Sequence, residues 1–184
     1  MDERAKRIIE TAIELAEQNG YAAVRLRDIA TKAGVALGTV YNRFGSKEEI
    51  LVAVMAAEGQ RLFETIGGPV KGSSARERAE AFFVHATQAF LARPNLARAV
   101  LRSLVGGSDI AVEVLGLQKH TTALLMSAIE GDEPVGDAEE LRAVATVLQQ
   151  VWFASLIGWT GGLYDGEEEI VAQVRRAVVR LLPV

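Results

Sequence analysis

Asp28-Ile29-Ala30-Thr31-Lys32-Ala33-Gly34-Val35-Ala36-Leu37-Gly38-Thr39-Val40-Tyr41-Asn42-Arg43-Phe44-Gly45-Ser46-Lys47 is the stretch that decides the fold. Ile29, Ala30 and Ala33 fall at i, i+1 and i+4, one face of a first short helix. Gly34 then supplies the positive φ that lets the chain leave one helix and enter another within a few residues. Ala36, Val40 and Phe44 repeat at i, i+4 and i+8, an inward stripe for a second helix over 37–44. Leu37, Gly38, Thr39, Tyr41, Asn42 and Arg43 are left for its outward face, which ends beside Lys47. A packed helix pair presenting a short polar and aromatic face is a shape that a major groove accepts.

The run Ala33-Gly34-Val35-x-x-Gly38-Thr39-x-Tyr41-x-x-Phe44-x-Ser46-Lys47-Glu48, preceded by Asp28-Ile29-Ala30, resembles the TetR family of bacterial one-component transcriptional regulators. The motif covers about the first quarter of the chain. The resemblance implies an all-α fold with a three-helix DNA-binding head over 1–47 and a helical ligand-binding and dimerisation body over 48–184. It implies a repressor released from a palindromic double-stranded operator when a small, largely apolar effector binds the body. Contacts carried over by position fall on Thr39, Tyr41, Asn42 and Lys47. Tyr41 and Lys47 suit phosphates, which set register without reading sequence. Thr39 suits a base edge or a phosphate, and Gly38 permits close approach of backbone and DNA. Ala36 stands where the family often has Ser, and Leu37 replaces a frequent polar residue, leaving it apolar base contacts only. Arg25 stands where a Ser or Thr usually caps the second helix; it is either a phosphate partner or a solvated arginine. For Tyr41 the alternative is a packed ring with a wet hydroxyl.

Charge supports a local interface. The chain holds 20 Lys and Arg against 24 Asp and Glu, a net −4 that by itself disfavours nucleic acid. Over 25–47, however, Arg25, Arg27, Lys32, Arg43 and Lys47 face Asp28 alone, a local +4. With no cysteine there is no disulfide framework. The N-terminus has no apolar signal core, and no uninterrupted apolar run approaches about 18 residues, so a cytoplasmic protein without a membrane span is expected.

Helices are expected over 4–19, 25–33, 37–44, from a Ser46 cap to about 65, from a Ser74-Ala75-Arg76-Glu77 capping box through Leu91 until Pro94 breaks it, and from Asn95 to Val105. Others run from a cap at Ser108 or Asp109 to Glu130, from an Asp137-Ala138-Glu139-Glu140 box to Thr160, and over 167–182: nine in all. Gly67 to Gly72 has the glycine spacing of a phosphate loop, but Ser73 stands where the lysine is required and a helix precedes it; it reads as a flexible joint.

In the body, the last two helices carry apolar stripes that, by the resemblance, pair with their copies across a two-fold axis; Leu148, Leu156, Trp159, Val174, Val178 and Leu181 are the expected interface. The alternative is packing within one subunit. Phe83, Phe90, His120, Leu124, Trp152 and Phe153 are expected to line the ligand cavity. Each is also a plausible core residue. Arg98 and Arg102, one turn apart, suit an acidic ligand or a solvated face. A narrower likeness joins the recognition motif, Val52-Ala53-Val54-Met55 and Gln150-Val151-Trp152-Phe153 to the sterol-catabolism repressors of actinobacteria, and implies a bulky acyl-CoA ligand. No cofactor is expected. Two histidines and no cysteine leave little for zinc, and no nucleophile elbow or dinucleotide fingerprint occurs, so the chain does not read as an enzyme. A helical protein that keeps the motif as a scaffold for a protein partner is the remaining alternative, distinguished by salt dependence.

Overall fold

The computed structural model describes residues 2–66, 70–106, 111–131 and 136–183. Among them are nine α-helices, one 3-10 turn and no strand. In order these are α1 (Glu3–Asn19), the 3-10 turn Tyr21–Ala23, α2 (Leu26–Ala33), α3 (Leu37–Arg43), α4 (Lys47–Ile66), α5 (Ala75–Leu91), α6 (Pro94–Gly106), α7 (Ala111–Glu130), α8 (Ala138–Thr160) and α9 (Glu167–Leu181). They form two compact units: a head of Met1–Gln60 with Arg93–Leu117, and a body of Arg61–Ala92 with Gln118–Val184.

In the head, Asp2 caps α1, its carboxylate accepting from the Ala5 amide at 2.8 Å. Gly20, at φ +70°, ends that helix. Arg25 stands at the N-cap of α2 without a side-chain hydrogen bond, as its lack of an acceptor requires. Gly34 closes α2 in the left-handed region at φ +64°, where the Val35 amide reaches back to the Ala30 carbonyl at 3.0 Å. A Cβ on Gly34 would meet nothing within 4 Å, so the whole penalty of a side chain there is backbone strain. Gly34→Ala is therefore expected to lower the stability of the head by about 1–2 kcal/mol, read from denaturant unfolding; an unchanged midpoint would contradict it.

The expected boundary after Lys47 falls inside the head. Helices of eight and seven residues cannot enclose a core of their own. Ile50, Leu51 and Val54 of α4, with Leu96, Ala99 and Val100 of α6, complete the cluster around Ile8, Ile29 and Val40. Arg93 ties the same elements together by pairing with Glu17 of α1 and Glu58 of α4. Burial opposes its charge, yet the two carboxylates outweigh that and raise its pKa further.

In the body, α9 packs on both α5 and α8. Ser74 caps α5, accepting from the Glu77 amide at 3.3 Å, while Glu77 accepts from the Ser73 amide and hydroxyl at 2.8 and 2.7 Å. Those bonds hold the Glu77 carboxyl below its ordinary pKa. The capping glutamate thus reaches one residue further back than the reciprocal box expected here. Glu49 does likewise on the Gly45 amide at 2.9 Å, and Glu169 on that of Asp165 at 2.8 Å. Asp137 caps α8 through the amides of Glu139 and Glu140. Two arginines of α5 close helices distant in sequence. Arg78 donates to the carbonyls of Ile129 and Glu130 at the end of α7, and Arg76 to those of Val179 and Leu182 at the end of α9.

Arg78 also accounts for Gly72. Its guanidinium donates to the Gly72 carbonyl at 3.2 Å, and a Cβ on Gly72 would sit 2.7 Å from the Arg78 amide. The expected flexible joint is pinned at this end; residues 67–69 lie outside the described residues, as do the expected Ser108 and Asp109 caps.

The stripe expected at a dimer interface turns inward. Leu148, Leu156 and Val178 are fully buried within one protomer, Val174 nearly so, and Trp159 is buried as well. Only Leu181 of that set is exposed. An apolar stripe packs equally well inside a subunit or across an axis, and here α5, α8 and α9 take these residues for the subunit's own core. Among the described residues, α8 alone would pass for a membrane span by length and composition, yet it contributes seven residues to that core.

Candidate nucleic-acid interface

Helix α3 has seven residues, about two turns. Val40 is fully buried and fixes its rotation, while Leu37 and Phe44 pack half-buried against the head core. The outward face is consequently Gly38, Tyr41 and Asn42, related by i, i+3 and i+4, with Arg43 exposed and Thr39 half-buried beside it. Two expectations are corrected. Ala36 is exposed at the N-cap rather than inward, because the helix begins after it. Leu37 takes the inward place instead, so it belongs to the core and not to a base-contacting face.

Tyr41 is 55% exposed, an unusual position for a large ring. A Cβ on Gly38 would meet nothing within 4 Å, so the backbone is open at that point. Together these residues make a shallow, polar, weakly obstructed strip along a rigidly held helix, fit for hydrogen bonds to base edges and phosphates.

The positive field is narrower than local counting implies. Lys32 pairs with Glu14 at 2.9 Å, and Arg43 pairs with Asp2, so α1 and its N-cap supply carboxylates that a window over 25–47 does not contain. Arg25 and Arg27 remain exposed at the start of α2. Lys47, half-buried in the first turn of α4, lies with its ammonium 3.8 Å from the centroid of the Tyr21 ring. Sequence reasoning did not single out Tyr21. Its only local signal was an aromatic directly after a helix-ending glycine, too short a segment for periodicity to mark. Burial, reinforced by a hydrogen bond to Glu48, pushes its phenol up to about 12.

The expected effector residues divide. Phe83 and Trp152 are buried, with ring centroids 5.9 Å apart, and Phe90 meets Trp152 edge-on at 6.0 Å. The indole N–H donates to the buried Thr87 hydroxyl at 2.9 Å, and Thr87 donates onward to the Phe83 carbonyl at 2.6 Å. Phe90, Leu124 and Phe153 are half-buried. His120 is exposed, so it is not the buried imidazole expected of it; the outward side of α7 keeps it in solvent. Arg98 and Arg102 are exposed on α6, which belongs to the head, whereas the aromatic cluster belongs to the body; Arg102 lies over the Tyr21 ring at 4.7 Å. Among the described residues no cluster of three or more His, Cys, Asp or Glu side chains is arranged for a metal ion.

Comparison with known proteins adds sequence relatives to this geometry. Residues 8–54 match the family model for bacterial regulatory proteins of the tetR family, and residues 72–181 match that for the tetracyclin repressor-like C-terminal domain. The HTH-type transcriptional repressor KstR of Rhodococcus jostii is 34% identical over 158 residues, 85% of this chain and 73% of that protein. KstR of Mycobacterium tuberculosis is 31% identical over 159 residues, covering 85% and 71%. Among solved structures, a TetR transcriptional regulator from Rhodococcus sp. RHA1 superimposes with a TM-score of 0.85 at 28% identity, covering 97% of this chain and 95% of that one. FadR from Bacillus subtilis, in complex with stearoyl-CoA, shares the fold with a TM-score of 0.64 at 23% identity, covering 96% and 97%.

Proposed function

The chain belongs to the TetR family of bacterial regulatory proteins, and on that premise we propose that it is a transcriptional repressor which leaves its operator when a ligand binds the helical body. The observation that carries the DNA-binding half is the outward face of α3, where Gly38, Tyr41 and Asn42 stand clear while Val40 locks the helix to the core. Similarity to the KstR repressors supports the sense of regulation. The protein acts in the cytoplasm, on DNA, and is not an enzyme.

Arg25, Arg27, Tyr41 and Lys47 meet phosphates in this reading, and Thr39 and Asn42 meet base edges. Replacing Lys47 by Ala is expected to weaken binding to all duplexes alike and to lower the slope of log K against log salt by about 1. Titration of an operator fragment and an unrelated duplex across a salt series reads both. A loss confined to one sequence would remove Lys47 from the phosphate contacts.

A homodimer follows from the shortness of α3, which reads too few base pairs alone; two copies place their recognition helices roughly 34–36 Å apart on successive turns. The support lies on the outer side of α8, where Ala143, Val147, Gln150 and Ala154 are exposed at i, i+4, i+7 and i+11. Val147→Arg is expected to halve the mass in solution; an unchanged mass would move the interface elsewhere.

The effector in this reading is bulky, largely apolar and of acyl type, held in the body near Phe90, Leu124 and Phe153. Its binding releases DNA to the extent that it prefers a head spacing unsuited to successive grooves.

A further inference from the structure

The Tyr21 ring gathers charges from two helices of the head. The Lys47 ammonium lies 3.8 Å and the Arg102 guanidinium carbon 4.7 Å from its centroid, both within cation–π range. The hydroxyl donates to the carboxylate of Glu48, the neighbour of Lys47 in the first turn of α4. The ring body packs against the head core, and α6, which carries Arg102, packs on the 3-10 turn that carries Tyr21. The ring is therefore fixed from three directions: core below, Glu48 at the hydroxyl and Arg102 over the aromatic system. Because burial pushes the phenol up to about 12, it stays a donor at any working pH.

We propose that Tyr21 is a positioning residue for the DNA contact of Lys47, its ring holding the ammonium in place before DNA arrives, with Glu48 and Arg102 keeping the ring in place. The proposal rests on the DNA-binding reading above. A lysine side chain free in solvent loses much rotamer freedom when it settles on a phosphate; one already resting on an aromatic face loses less. The ring supplies the attraction without neutralising the charge, as a carboxylate partner would, so the ammonium keeps its full worth to a phosphate. Lys32 and Arg43, paired with Glu14 and Asp2, lack that advantage.

The test is a double-mutant cycle on binding to a random-sequence DNA duplex, which suffices because phosphate contacts carry no sequence information. Tyr21→Leu keeps an apolar side chain against the core and removes the ring. It is expected to weaken binding about two- to five-fold with the salt slope unchanged, since Lys47 still reaches its phosphate. In a Lys47→Ala background the same substitution is expected to change nothing. Tyr21→Phe, which retains the ring, is expected to bind within about two-fold of the natural protein, whereas Arg102→Ala is expected to give a smaller loss than Tyr21→Leu that also vanishes without Lys47. Equal losses from Tyr21→Leu with and without Lys47 would overturn the proposal, because they would mean that the ring acts on the head as a whole. Failure of Tyr21→Phe to restore binding would overturn it as well, by assigning the effect to the hydroxyl. If the natural protein bound no duplex in a salt-dependent way, the DNA-binding reading itself would fall and this proposal with it.

Discussion

Trp152→Ala is expected to lower the stability of the body by about 3–5 kcal/mol. Trp152 is 9% exposed and sits between Phe83 and Phe90, so truncation opens a void bounded by two aromatic rings and the backbone of α5. Neighbouring rings held by helices in contact with α9 cannot close such a void fully, and the lost contacts add to the lost transfer energy. The indole N–H adds less. Thr87 keeps its own bond to the Phe83 carbonyl at 2.6 Å, and removal of the whole indole leaves no buried donor behind. Trp152→Phe should separate the two contributions, retaining aromatic packing and giving up the hydrogen bond and part of the volume, for about 1–2 kcal/mol. Denaturant unfolding of the three proteins decides it. A loss of less than about 1 kcal/mol for Trp152→Ala would show that the site collapses freely or admits water.

Gly38→Glu is expected to abolish operator binding while leaving the head folded. Open space surrounds the Cβ position, so the substitution meets no atom within 4 Å. Glu is also a better helix former than Gly by roughly half a kcal/mol or more, so thermal stability should hold or rise slightly. On DNA the same side chain would carry a carboxylate into the phosphates along the outward face of α3. Like-charge juxtaposition at an interface costs several kcal/mol, which corresponds to a loss of about 100-fold or more. Paired melting and binding curves measure both quantities. Retained operator affinity would mean that DNA does not approach α3 at Gly38, and a lowered melting temperature would mean that the glycine serves the fold.

Local chemistry was the legible part of this chain. Gly20, Gly34, Ser46, Ser74 and Asp137 act on backbone groups within four residues, so they placed helix ends to within a residue or two. Long amphipathic stripes such as that of α9 were equally plain. In α3, by contrast, two turns leave the rotation uncertain by a residue, and the inward place that the spacing assigns to Ala36 is taken by Leu37. Pairings across the fold were invisible. Nothing near Arg43 announces Asp2, nothing near Lys32 announces Glu14, and Arg76 and Arg78 reach carbonyls far along the chain. The stripe of α8 and α9 has a single signature for two fates, and its burial inside the protomer depends on α5 covering it. His120 failed for a related reason: it lies in the polar run Gln118-Lys119-His120-Thr121-Thr122, and α7 has no clear period to say which of these residues turns inward.

Selection of bound fragments from the source genome by the purified protein, at low and at high salt, tests the central claim most directly. The account predicts enrichment of a palindromic site with half-sites one DNA turn apart, lost steeply as salt rises because phosphate contacts release counterions. Absence of enrichment at either salt would contradict it and would favour a helical protein that keeps the motif as a scaffold for a protein partner.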